Sequence, residues 1–195
     1  RKNGRLEKVT WDQALKFLIK KINTFEGSQM AGLVGDLADL EMIYSFKLFF
    51  EKCLGSSNLE CRQDRTYINP SERMNYIFNS SINGIEKSDL ILLVGTNPRL
   101  EATILNARIR KAYIKNKVKV FSIGNPGDLT YPYEYIGSKT SIIKDITSGE
   151  HEISNKIKRS KNPIIIIGES ALRGKAGQYI FESLKKFLHN NNFIN

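Results

Sequence analysis

Five consecutive large aliphatic residues, Leu90-Ile91-Leu92-Leu93-Val94, stand between Ser88-Asp89 and Gly95. A strand with one wet face alternates apolar and polar residues. An unbroken apolar run of this length is a strand buried on both faces, which is the pattern of a parallel sheet covered by helices. The run ends in Gly95-Thr96-Asn97-Pro98, and helical spacing follows from about Leu100 to Lys115. The theme repeats downstream. Val118 to Ile123 leads into Gly124-Asn125-Pro126-Gly127, and Pro163 to Ile167 leads into Gly168-Glu169-Ser170 and a helix to about Leu188.

The first third fits the same alternation. Thr10-Trp11-Asp12-Gln13 reads as a capping box opening a helix to about Phe25. Its stripe is Ala14, Phe17, Leu18, Ile22 and Phe25, with Trp11 expected as a staple or core residue. Met30 to Val34 is a short apolar strand closed by Gly35-Asp36, and a second helix is predicted from about Asp39 to Cys53. Strand, glycine turn and helix in alternation predict an α/β fold: a doubly wound, Rossmann-like, mostly parallel sheet with helices on both faces. No internal linker is visible, so residues 1–195 read as a single α/β domain.

Composition narrows the function classes. Two cysteines, Cys53 and Cys61, and two histidines exclude a disulfide scaffold and a self-contained four-cysteine metal site, so no metal is expected. No apolar run reaches the roughly 18 residues of a membrane span. The chain opens at Arg1 without a methionine or a signal-peptide core, as expected of a processed product or a piece of a longer protein. The net charge is +10, and it is lopsided: residues 1–97 carry 13 basic and 12 acidic side chains, residues 98–195 carry 17 and 8. A basic surface on the second half follows. No RNA-recognition, helix-turn-helix or zinc-finger signature accompanies it, so nucleic acid is not the expected partner.

Ligands of open α/β sheets sit beyond the carboxyl ends of the strands. The turns there lack both G-x-G-x-x-G and the P-loop Gly-Lys-Ser/Thr, which argues against a self-sufficient NAD or ATP site. Gly168-Glu169-Ser170-Ala171 looks like a nucleophile elbow, but Leu172 stands where the second glycine belongs. No aspartate lies between Ser170 and His189, and only Glu182 could substitute. Ser170 is therefore expected to cap the last helix. Asp36, Asp39 and Glu41 could hold magnesium, but acidic residues at a helix start complement its dipole without an ion. Arg108, Lys111 and Lys115 share a helix face, with Arg110, Lys117 and Lys119 nearby; the alternatives are a solvated face and a surface docked on an acidic partner. His151 falls in a polar loop with no ligand set around it.

Taken in order, several segments resemble a known family. Val94-Gly95-Thr96-Asn97-Pro98-Arg99-Leu100-Glu101-Ala102, continuing into Asn106-Ala107-Arg108-Ile109-Arg110-Lys111, is similar to the molybdopterin-oxidoreductase-type domain in the large iron–sulfur subunit of respiratory complex I, the NADH:quinone oxidoreductase. Val9 to Leu15, Ala31 to Asp36, Asn58 to Asp64, Ile123 to Tyr131 and Gly168 to Leu172 resemble further family segments in the right sequence. The resemblance implies a structural, non-catalytic domain in the peripheral arm, on the mitochondrial matrix or bacterial cytoplasmic face, partnered by other complex I subunits. It implies no catalytic residue and no cofactor here, with iron–sulfur clusters in a cysteine-rich N-terminal half. In molybdenum-containing relatives the Gly-x-Asn-Pro turn holds the pterin, so Gly95, Thr96, Asn97 and Pro98 would be a vestige of that site. Thr103 replaces a proline usual in those enzymes, and no metal ligand stands near Arg65-Thr66-Tyr67. The alternative is a molybdopterin enzyme of the formate dehydrogenase type.

Overall fold

The computed structural model describes residues 4–35, 37–61 and 65–194. They fall into two compact units, Arg1–Gln63 and Asp64–Asn195.

In the first unit, Thr10 accepts from the Gln13 N–H while Gln13 returns a bond to the Thr10 N–H, so the expected capping box opens α1 (Trp11–Ile22). The helix stops three residues short of Phe25. A two-residue parallel pair follows, β1 (Gly32–Leu33) with β2 (Leu59–Glu60), much shorter than the predicted Met30–Val34 strand. Between them α2 (Leu40–Leu48) is capped by Asp39 and widens into a π-type turn over Phe49–Leu54, where the sequence predicts continuous helix to Cys53. Only Phe50 among the large apolar side chains described in this unit is buried.

The second unit carries a four-stranded parallel sheet in the order β5-β4-β3-β6, from β3 (Leu90–Val94), β4 (Lys119–Ile123), β5 (Glu134–Gly137) and β6 (Pro163–Ile167). Chain and sheet order together give a doubly wound half: the chain steps outward from β3 to β5, then returns to the other side of β3. Helices α3 (Pro98–Glu101) and α4 (Thr103–Asn116) connect β3 to β4, α5 (Ser141–Ser148) and α6 (Glu152–Arg159) connect β5 to β6, and α7 (Glu169–Leu172) and α8 (Gly177–Asn190) follow β6, while β4 reaches β5 without a helix. The predicted helix over Leu100–Lys115 starts at Pro98 and breaks at Ala102. The predicted final helix is likewise split in two.

Alternation along β3 divides the core into two layers, because successive side chains point to opposite faces. Leu90, Leu92 and Val94 pack with Phe121 and Ile123 against Ile143, Ile146, Ile153, Ile157, Leu184 and Phe187 of α5, α6 and α8. On the other face Ile91 and Leu93 meet Val120, Ile164, Ile109, Ala112 and Ile85. Helices therefore cover both faces, as expected.

Candidate functional site

The reversal of strand order lies between β3 and β6, so the turns leaving these strands define the place where a ligand of such a sheet would sit. The geometry there is closed. A Cβ on Gly168 would come within 2.3 Å of the Gly95 carbonyl oxygen and 2.5 Å of the Thr96 Cβ. Gly95 has φ of +57°, and a Cβ there would lie 2.8 Å from that of Ala171. The two glycines serve backbone-to-backbone packing of one turn on the other. Ser170 adds to this closure by donating its hydroxyl to the Gly95 carbonyl oxygen. That corrects its expected role: Gly168 is the N-cap of α7, and Ser170 caps no helix.

The other side of the turn is tied to the loop after β4. The Asn97 side-chain amide donates to the Pro126 carbonyl at 2.6 Å, and Arg99 pairs with Asp128 at 2.5 Å. The Thr130 N–H and then Arg99 hold the Asp128 carboxyl below its ordinary range.

Glu101 decides what the turn can bind. Its carboxylate accepts from the Thr96 hydroxyl at 2.7 Å and from the Asn97 N–H at 3.0 Å. The Asn97 side-chain oxygen takes the Leu100 N–H at 3.2 Å, and Pro98 contributes no N–H. The Thr96 and Asn97 donors that an anionic pterin cofactor would need are thus engaged by the chain's own Glu101, and a carboxylate already supplies the negative charge. Gly95, Thr96, Asn97 and Pro98 come together at the strand end as predicted, but they do not fit the phosphate of such a group.

Other candidates resolve into structural roles. Glu182 accepts from the Tyr67 hydroxyl at 2.8 Å and from Asn69 at 3.2 Å, which raises the Tyr67 phenol above its usual value and leaves no triad with Ser170. Asp39 accepts the Met42 N–H at 2.7 Å as a helix cap, while Asp36 lies outside the described residues. His151 lies in the short connection between α5 and α6, where its Nδ1 accepts the Ile153 N–H and caps α6. Trp11 is 83% exposed, neither staple nor core. Arg108 and Lys111 both bind the Glu86 carboxylate, whose pKa they lower, Lys111 foremost. The charged face on α4 is therefore partly neutralised by a residue 22 positions before Arg108. Cys53 and Cys61 are free and exposed. Among the described residues no group of His, Cys, Asp or Glu is placed to hold a metal ion, and no helix is long and apolar enough to cross a membrane.

Sequence reasoning missed two polar constellations. The Tyr131 hydroxyl donates to Asn106 at 2.8 Å, and Asn106 donates to the Leu129 carbonyl at 3.2 Å, all three residues buried; burial pushes the Tyr131 phenol well above its ordinary value. At the opposite end of the sheet Asp89 clasps the loop into β6 through Ser160, Lys161 and Asn162. Partial burial opposes ionisation there, and these hydrogen bonds outweigh it, so the Asp89 pKa is lowered.

A doubly wound sheet carrying a Gly-x-Asn-Pro turn at its switch point defines a class, and the family described as molybdopterin oxidoreductase matches residues 1–195. The chain belongs to that family. Within it, the chain is 38% identical over 199 residues to the NADH-ubiquinone oxidoreductase 75 kDa subunit of Reclinomonas americana, covering 95% of this chain and 29% of that protein. It is 33% identical over 192 residues to the mitochondrial NADH dehydrogenase [ubiquinone] iron-sulfur protein 1 of Solanum tuberosum, covering 98% and 26%. It is 34% identical over 194 residues to an NADH-quinone oxidoreductase subunit of Rickettsia bellii, covering 100% and 28%. The chain thus spans under a third of the length of these curated relatives. The resemblance read from the ordered sequence segments holds.

Proposed function

We propose that this chain is a structural, non-catalytic domain of a proton-pumping NADH:quinone oxidoreductase, lying in its peripheral arm on the matrix or cytoplasmic face. In this reading both units belong to one partial molybdopterin-oxidoreductase-like domain, and its neighbours are other subunits of the arm. The assembly as a whole passes electrons from NADH to quinone. Its iron–sulfur clusters are bound elsewhere in the parent protein.

The observation that carries the reading is the Glu101 carboxylate lodged on the donors of Thr96 and Asn97. A working pterin site needs those donors facing outward. Here they fasten β3 to α3, and the neighbouring turns close over them through Gly168 and Asn97. Gly95, Thr96, Asn97 and Pro98 are in this account a former cofactor turn retained as a joint. Packing supports the retention, because the two-layer core owes nothing to a ligand. The names of the relatives favour this reading over a formate dehydrogenase-type enzyme.

The test is to tag the full-length parent protein in its own organism, solubilise the membranes, and identify by native-gel mass spectrometry what migrates with it. Co-migration with flavin- and iron–sulfur-bearing subunits and NADH dehydrogenase activity is the expected result. Migration as a small species without that activity would overturn the reading.

A further inference from the structure

A groove of about 480 Å³ lies among α5, α6 and α8 on the second unit. Lys144, Lys158 and Lys186 line it, one from each helix, along with Ser183, Asn190 and the buried ring of Phe187. No carboxylate lines the groove, and none of the three lysines makes an ion pair among the described residues. Some basic residues elsewhere in the unit do have carboxylate partners. Arg108 and Lys111 share Glu86, Lys156 bridges Glu152 and Glu134, and Lys185 holds Glu72.

A local structural reason for three lysines exists but is too small. Three helices end near these lysines, α5 at Ser148, α6 at Arg159 and α8 at Asn190. Each C-terminus carries about half a negative charge, so together they offset about one and a half ammoniums and leave about one and a half positive charges unanswered. Lys158 lies close to one of these ends. Its Nζ lies 3.7 Å from where a Cβ on Gly149 would stand, just past the end of α5, and 5.9 Å from the centre of the Phe187 ring.

We propose that this groove is a docking surface for an acidic segment of another protein subunit, whose carboxylates pair with Lys144, Lys158 and Lys186. The proposal rests on the reading above that the chain works within a multi-subunit assembly. Two features favour a protein segment over a small phosphate. The helix ends at the groove are C-termini, so no helix N-terminal amides line it, and such amides are what pre-formed phosphate sites use. The three ammoniums are exposed and spread over three helices, which suits several carboxylates along a chain. Charge complementarity of this kind sets orientation and partner choice more than raw affinity.

The experiment uses the native assembly from membranes of the source organism, with a zero-length carbodiimide that joins amines to carboxylates in contact. Isolation of a large assembly containing the parent protein tests the reading above; the crosslinks test the groove. Crosslinks from Lys144, Lys158 or Lys186 to Asp or Glu of a different polypeptide are expected, with acetylation of these lysines several-fold slower in the assembly than in the dissociated parent protein. Replacement by Lys144→Gln, Lys158→Gln and Lys186→Gln together should abolish the crosslinks and weaken attachment at low salt while reducing its dependence on added salt, and the corresponding arginine variant should restore attachment. Equal acetylation in the two states, or protection of the dissociated protein by inorganic phosphate with no crosslink in the assembly, would overturn the proposal while leaving the assembly intact.

Discussion

The two units spend their apolar residues in opposite ways. In the second, β3 is buried from Leu90 to Val94, and both faces of its sheet are covered. In the first, Trp11, Leu15, Phe17, Leu18 and Ile19 of α1 are each at least half exposed, and so are Leu40, Met42 and Tyr44 of α2. Helices form in the first unit all the same, and α1 has both halves of its capping box. Local signals and burial are therefore separable: capping and periodicity make a helix, and only a facing layer makes a core. The lesson for function is that the second unit holds its shape through its own packing, with the turn from Gly95 to Pro98 as one of its joints.

The largest predicted effect comes from the centre of that core. Leu92→Ala removes a fully buried side chain between two layers and should lower the unfolding free energy of the 195-residue chain by about 3 kcal/mol, read by urea denaturation. A loss under about 1 kcal/mol would mean the layers are loosely packed. Gly168→Ala comes next. A methyl directed at the Gly95 carbonyl must push the two turns apart, at a cost of about 2 kcal/mol, with amide exchange quickened at Gly95 and Thr96. Exchange unchanged at those amides would deny that the turns are in contact.

Asp89→Asn should cost about 1 kcal/mol through its weakened loop clasp. The pH dependence has a definite sign. Because the folded pKa of Asp89 is lowered, its stabilisation is present above the unfolded value of about 3.9 and is lost as pH falls through the folded value. Denaturation midpoints of parent and variant should therefore converge in acid and separate towards neutral pH. The smallest effect sharpens the comparison from the other side. Leu18→Ala, at a half-exposed position on α1, should shift stability by under about 0.5 kcal/mol. A loss as large as that of Leu92→Ala would erase the distinction between the units.

The sequence is most legible where burial is two-sided. Pro163–Ile167 is bounded to the residue, because a continuous aliphatic run flanked by proline and glycine admits one reading. The stretch over 134–159 is not legible in the same way, although it contains β5, α5 and α6. β5 is an edge strand of four residues with little apolar content, too short to show a period. The two helices are of eight residues each, and their signal, Ile143 with Ile146 and Ile153 with Ile157, spans a single turn in each. Of the candidate site, the turn and its place at the strand end are readable from Gly95 to Pro98. The internal use of its donors is not, since Glu101 reads in sequence as an ordinary acidic residue in a first helical turn. Its carboxylate folds back locally, four and five residues, onto Asn97 and Thr96.

The central claim is that this turn is a closed structural joint and not a pterin site. The most direct test is to purify the native assembly containing the parent protein and quantify molybdenum, tungsten and oxidised pterin per polypeptide. The account predicts amounts far below one per chain in material that retains NADH dehydrogenase activity. One metal and one pterin per chain, lost together on Asn97→Ala, would contradict it.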